Sequence, residues 1–186
     1  MKLDTIIDVK KYLVYAGMVG TQEGLFVENL SGGVSSTVWK ITFRNNRWVI
    51  KQALEKLKVE KDWFADIERI HREHEVMAAL AEFVPKGTIP TVLHADYTKH
   101  IYIMTSAEEG AQTWKDILMS GTFSEKKKKN AGQLLQQLHG NSNFMRAEDK
   151  EKLQDQKYFV QLRVDPFHRY LMHKFPELAT PIQKLV

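Results

Sequence analysis

Leu30-Ser31-Gly32-Gly33-Val34-Ser35-Ser36-Thr37-Val38-Trp39-Lys40, and then Trp48-Val49-Ile50-Lys51-Gln52, are the two segments whose reading decides the fold. The first is a glycine-containing loop that runs into alternating strand residues. The second is a short apolar strand that delivers one lysine. Glycine tolerates dihedrals and close contacts that a Cβ forbids, so such a loop lets backbone N–H groups approach a phosphate chain. A lysine on the next strand can supply a point charge to the same phosphates.

Working outward, residues 25–30, 36–44 and 47–53 read as three antiparallel strands, with Asn45-Asn46 as a two-residue hairpin turn because Asn tolerates positive φ. Residues 4–18 read as an amphipathic helix with Ile6, Val9, Leu13 and Ala16 on one stripe. The segment 55–65 is charged and irregular. Residues 66–82 form a second helix, since Ile67, Ile70, His74, Met77 and Ala81 recur at spacings of three and four. Pro85-Lys86-Gly87 breaks the chain. Residues 91–96 and 100–105 read as two more strands joined at Tyr97-Thr98-Lys99, and Ser106–Gln112 is a small polar connector. Beyond it the pattern is helical: 113–119, 124–139, 147–162, and 166–175 with Pro166 at a helix start. The expected class is α+β: a five-stranded antiparallel sheet lobe with one crossing helix over residues 1–106, then a connector and the first helices of a helical lobe over 107–186.

A chain of 186 residues can bury a real core. No apolar run approaches the roughly 20 residues that span a bilayer, and Met1-Lys2-Leu3-Asp4 lacks the apolar stretch of a secretory signal. The absence of cysteine removes disulfides and thiol catalysis, and a cytoplasmic location is expected. The net charge of +4 is uneven: residues 121–186 carry 12 Lys/Arg against 7 Asp/Glu. Most of that excess is Lys126-Lys127-Lys128-Lys129, at the start of a helical pattern formed by Ala131, Leu134, Leu135 and Leu138. No aromatics interleave with it, so it reads as a solvated helix face, with neither nucleic acid nor membrane expected as a partner.

Alternation puts Val49 and Lys51 on one sheet face and Ile50 on the other. An inward lysine at a strand centre is costly unless paired. The crossing helix offers Glu68, Glu73 and Glu75. Glu73 follows Ile70 by three and precedes Met77 by four, so helical geometry selects it as the partner of Lys51. The alternative is that Glu73 is a surface acid. After Tyr102-Ile103-Met104, backbone groups of Met104, Thr105 and Ser106 are candidates for holding a planar base.

These residues carry a resemblance. Leu30–Lys40, Val49-Ile50-Lys51-Gln52-Ala53-Leu54, Arg72-Glu73 and Ile103-Met104 resemble the aminoglycoside phosphotransferase and choline kinase-like superfamily. With Val59-Glu60 and Asp62-Trp63-Phe64 added, the match is closest to members near methylthioribose kinase. Trp114-Lys115-Asp116-Ile117-Leu118, Leu138-His139 and Phe159–Tyr170 fit as well, so the resemblance covers nearly the whole chain. It implies a protein kinase-like fold that binds ATP with Mg²⁺ and phosphorylates a hydroxyl of a small-molecule acceptor. Ser31, Gly32, Gly33, Ser35 and Ser36 would cover the phosphates, Lys51 would touch the α- and β-phosphates, Glu73 would hold Lys51, and Met104 and Ser106 would face the adenine. Ser36 stands where the family often has Asn. The resemblance further hints that Arg163, Asp165 and His168 line the acceptor side; Asp165-Pro166 reads equally as a helix start.

The family's catalytic loop is His-Gly-Asp with Asn five residues after the Asp, and a metal-binding Asp further on; these assist the attacking hydroxyl and hold Mg²⁺. Here His139-Gly140-Asn141 offers an amide that cannot act as a base, and Arg146 stands five residues later. His139 ends an amphipathic helix and Gly140 reads as its C-cap. No catalytic residue is therefore expected in residues 1–186, and the Mg²⁺ ligands are expected beyond Val186. The expectation is the N-terminal part of a longer kinase, whose exposed apolar surface would favour self-association. The alternative is a non-catalytic, pseudokinase-like module that binds nucleotide or a partner. His71 and His74 are three apart, which fits no zinc-helix pattern, and His74 reads as a packed core residue. Trp114, Phe123, Phe159 and Phe167 read as core aromatics.

Overall fold

The structure, a computed structural model, describes residues 1–30, 33–122 and 124–185, with Ser142 described in its backbone alone. Strands β1 (Leu25–Asn29), β2 (Ser36–Phe43), β3 (Asn46–Ala53), β4 (Val92–Asp96) and β5 (Ile101–Thr105) form one antiparallel sheet in the order β1-β2-β3-β5-β4. Helix α1 (Ile6–Tyr15) precedes the sheet, and α2 (Arg69–Ala81) joins β3 to β4. The remainder is helical: α3 (Trp114–Met119), α4 (Glu125–Asn141), α5 (Ala147–Gln154), α6 (Lys157–Phe159), a π-helical run Val160–Arg169, α7 (Tyr170–Lys174) and α8 (Ala179–Gln183). The chain is an α+β protein, as its hydrophobic periodicities indicate. No helix among the described residues is long and apolar enough to cross a membrane.

Strand alternation divides the sheet into two apolar faces. Trp39, Ile41, Trp48, Ile50, Ile101 and Ile103 pack against Val9, Tyr12 and Leu13 of α1. Ala53, Tyr102 and Met104 pack on the other side against Ile67, Ile70 and Met77, in and beside α2. Helix α1 is shorter than its periodicity suggests because both ends are capped. Thr5 and Asp8 form a reciprocal capping box. At the other end Gly17, at φ 68°, turns the chain so that its N–H reaches Val14 O and the Met18 N–H reaches Leu13 O. The residues before α1 are stitched to the sheet through buried Gln52. Its Oε1 accepts from Leu3 N–H at 2.7 Å, and its Nε2 donates to Met1 O and Lys99 O at 2.9 and 3.0 Å.

The expected Asn45-Asn46 turn is displaced by one residue. Asn46 pairs with Phe43, so Arg44 and Asn45 form the loop, and the left-handed backbone (φ 55°) falls on Arg44. The core fixes this register, since a one-residue slip would carry Trp48 and Ile50 off the α1 face. Gly140 is not a cap: α4 continues through it to Asn141. Pro166 does not start a helix either, but lies inside the π-helical run. Its missing N–H deprives Gln161 O in a π pattern, or Leu162 O in an α pattern, of a partner. Side chains replace that donor, with Trp63 Nε1 on Gln161 O at 3.2 Å and Arg163 Nη1 on Leu162 O at 2.9 Å. The helix break falls earlier, at Asp155, whose backbone is extended.

The aromatics expected in a helical core are largely outside one. Trp114, Phe159 and Phe167 are 43%, 59% and 53% exposed, and Phe123 lies outside the described residues. The helices after residue 113 pack mainly on their sequence neighbours and on α2, so they enclose little. Lys126, Lys128 and Lys129 are exposed on α4, as a solvated face requires.

Arg69, buried at the start of α2, donates to four carbonyls: Ala65, Asp66, Leu54 and Ser35. It ties the irregular segment and the end of the glycine loop to the helix. Arg69→Met would strip a donor from each of those carbonyls, leaving only Ser35 O and Asp66 O a backbone N–H partner among the described residues, and is expected to lower unfolding free energy by about 2–4 kcal/mol in urea denaturation. In the β4–β5 turn, burial raises the Asp96 carboxyl's pKa. That effect is outweighed by donors from Thr98 and Lys99, leaving it well below its ordinary 3.8. A depressed folded value gives stability that is present above 3.8 and lost as pH falls through the folded value. Asp96→Asn should therefore flatten the loss of urea midpoint between about pH 5 and pH 2.

Candidate functional site

Lys51 sits at the middle of β3 opposite Tyr102 of β5, with its side chain on the α2 face. Its ammonium pairs with Glu73 Oε1. The Tyr102 hydroxyl donates to the same oxygen at 3.0 Å, and Lys51 Nζ lies 5.6 Å from the centre of the Tyr102 ring. Burial, and next the negative charge of Glu73, push the Tyr102 phenol upward, so it stays protonated and remains a donor. The partner chosen by helical spacing is thus the one the fold supplies. Glu75, off the inward stripe, instead receives Lys152 at 3.0 Å and the Tyr97 hydroxyl at 2.9 Å.

The end of the glycine loop meets Glu73 of this pair. Ser35, Ser36, Arg69, Ile70, Arg72, Glu73, Tyr158 and Leu162 line a cleft of about 280 Å³. The loop's second half is held from outside: Leu54 N–H donates to Ser35 O at 3.1 Å and Lys58 N–H to Val34 O at 2.8 Å. Ser31 and Gly32 lie outside the described residues. A Cβ on Gly33 would meet Ser36 O at 3.7 Å and Val38 Cγ2 at 4.0 Å, which is ordinary contact, and its φ is not left-handed. Nothing in the fold itself demands glycine at Gly33.

Met104 and Ser106 lie further along the same strands. The Met104 side chain packs on the α2 face beside Tyr102. Ser106 N–H donates to Arg47 O at 3.1 Å and Thr105 N–H to Thr91 O at 2.9 Å, so both amides already have acceptors. Lys51, Val49 and Arg47 face Tyr102, Met104 and Ser106 in turn, which sets Lys51 and Ser106 about 13 Å apart along the strand.

Glu73 is the one carboxylate among the described residues lining the cleft, and a single carboxylate does not make a Mg²⁺ site. The ammonium of Lys51 and the loop backbone are the groups suited to a polyanion. Of the residues linked to an acceptor side, Asp165 alone lines a second cleft, about 560 Å³, with Trp63, Phe167 and Tyr170. Arg169 engages its carboxylate at 2.6 Å. A larger cleft of about 1050 Å³ beside α4 and Trp114 has Lys127 as its one titratable group among the described residues.

Sequence reasoning overlooked Arg69 and Tyr102. Both were findable: Arg69 precedes Glu73 by four on α2, and Tyr102 shares the face of Lys51 in any register that buries Ile50 and Ile103. His74 is buried with its ring against Tyr102, as expected of a core residue. His71 is buried as well, in a cluster with His74, Tyr97 and His100. No protein-family model matches this chain, and no curated protein matches it.

Proposed function

We propose that residues 1–106 are the nucleotide-gripping lobe of a kinase-like fold, that 107–186 begin its helical lobe, and that the protein is an ATP-dependent kinase for a small-molecule hydroxyl. The ion pair between Lys51 on β3 and Glu73 on the crossing helix carries this reading. A lysine held by a helix carboxylate, beside a loop that can approach phosphates, supplies fixed positive charge to an ATP α/β-phosphate pair. Tyr102 holds Glu73, which lines the cleft, and Lys51 is paired to that same carboxylate oxygen. The spacing of about 13 Å from Lys51 to the connector is on the scale of an extended nucleoside phosphate.

Phosphoryl transfer also needs a residue for the nucleophile and carboxylate or amide ligands for Mg²⁺. His139-Gly140-Asn141 supplies neither, and its glycine is inside α4. Residues 1–186 therefore account for nucleotide binding and not for turnover. A non-catalytic nucleotide-binding module is the second reading, favoured by that same missing aspartate.

Fluorescence titration of the chain with an ATP analogue tests the site. Lys51→Ala should weaken binding at least tenfold, about 1.4 kcal/mol. An affinity unchanged by Lys51→Ala would sink the reading. Gly33→Ala separates folding from binding. It should leave the thermal midpoint unchanged or slightly higher, because less backbone entropy is lost on folding. It should still weaken the nucleotide by placing a methyl group where phosphate oxygens approach the loop.

A further inference from the structure

Helix α2 carries a second cluster on the side away from Lys51. Glu68 precedes its first turn, His71 lies in that turn, and His100 enters from the connection between β4 and β5. His71 Nε2 and His100 Nδ1 are 3.0 Å apart. The two Glu68 carboxylate oxygens lie 3.7 Å from His71 Nε2 and 3.5 Å from His100 Nδ1. These three groups come from positions 29 and 32 residues apart in sequence at most, and one donor atom of each falls within 4.8 Å of the others.

We propose that Glu68, His71 and His100 form a binding site for a divalent transition-metal ion of the Zn²⁺ type, with a fourth position open to water. The edge of a tetrahedron with metal–ligand bonds of about 2.1 Å is about 3.4 Å. The separation of the two imidazole nitrogens is near that length, and each of them has one Glu68 oxygen at a similar distance. Two imidazole nitrogens and one carboxylate oxygen suit Zn²⁺, whereas Mg²⁺ prefers an all-oxygen set. The groups that hold His71 fit as well. Coordination through Nε2 leaves the proton of His71 on Nδ1, which faces His74 Nε2 at 3.4 Å and can donate to it. The His71 ring stacks on Tyr97 at 4.4 Å, which fixes its plane. His100 adopts a left-handed backbone, φ 52°, that non-glycine residues seldom hold, and this conformation delivers its ring to the cluster. Glu68 is half exposed, giving an ion a route in and a water a place to bind.

Such an ion would clamp the first turn of α2 to the β4–β5 turn. The site stands on its own geometry, independent of the nucleotide reading.

The test is titration of chelator-treated protein with Zn²⁺, and with Co²⁺ as a spectroscopic probe. One equivalent of Zn²⁺ should bind and raise the thermal midpoint, because the folded state alone assembles the ligands. Co²⁺ should give the intense visible bands of a four- or five-coordinate site. His100→Asn keeps a residue that tolerates left-handed φ, and Glu68→Gln changes one exposed atom, so both variants should fold. Each should weaken Zn²⁺ at least tenfold, while exposed His173→Gln should leave the affinity unaltered. Absence of Zn²⁺ binding, an affinity unchanged in either ligand variant, or an equal loss in His173→Gln would each overturn the proposal.

Discussion

A lysine pointing from the centre of a sheet into a helix-covered face is the constraint on which this structure turns. The cation loses much of its hydration there, and only a nearby anion restores the balance. Helix α2 supplies that anion at Glu73, and the Tyr102 hydroxyl occupies a further lone pair of the same oxygen. The rotation of α2 about its axis is thereby limited. Ile70 and His74 must face the sheet when Glu73 reaches Lys51, and both are buried. A hydrophobic stripe alone would permit some rolling of the helix; the charge pair removes it. The same pairing holds the ammonium beside a carboxylate that lines the cleft.

Two further buried polar groups do comparable work on the backbone. Gln52 uses its amide oxygen and nitrogen to bind three main-chain groups, joining the first residues of the chain to the β4–β5 connection. Arg69 spends its guanidinium on four carbonyls from segments that have no regular structure of their own. Irregular backbone near a core needs donors that secondary structure does not provide. A guanidinium, with five N–H groups in a rigid fork, satisfies several carbonyls at once. Both of its terminal nitrogens are thereby committed to backbone carbonyls. Arg69 thus shapes the cleft through the backbone it holds, while Lys51 stands beside it, paired to Glu73.

Much of this was legible in the sequence, and the reasons are local. Short apolar runs bounded by turn residues located all five strands, and spacings of three and four on α2 singled out Glu73. Registers and helix ends were harder, because they depend on partners distant in sequence. The β2–β3 turn moved by one residue because Trp48 and Ile50 answer to α1, not to the preference of Asn for positive φ. Pro166 suggested a helix start by its missing N–H, yet the orphaned carbonyls find Trp63, 98 residues away in sequence from Gln161, and neighbouring Arg163. Gly140 suggested a cap, but glycine only permits a left-handed turn and does not compel one. The exposed Trp114, Phe159 and Phe167 show the same limit in another form: an apolar residue on a helix predicts burial only where something packs over it. His100 gave no signal at all, since a lone histidine in a turn has no periodicity to read.

The two polar clusters of α2 share a geometric origin. At about 100° per residue, Glu73 lies near one edge of the inward arc and His71 near the other, about 160° apart, with Ile70 and His74 between them. Each edge meets a different part of the sheet. The Glu73 edge meets the centre of β3, and the His71 edge meets the turn after β4. Apolar burial in the middle of the arc sets how closely the helix approaches, while the edges decide where along and around its axis it rests. The Lys51 ion pair and the imidazole cluster are thus anchored to one turn of the same helix, with Glu73 two residues after His71.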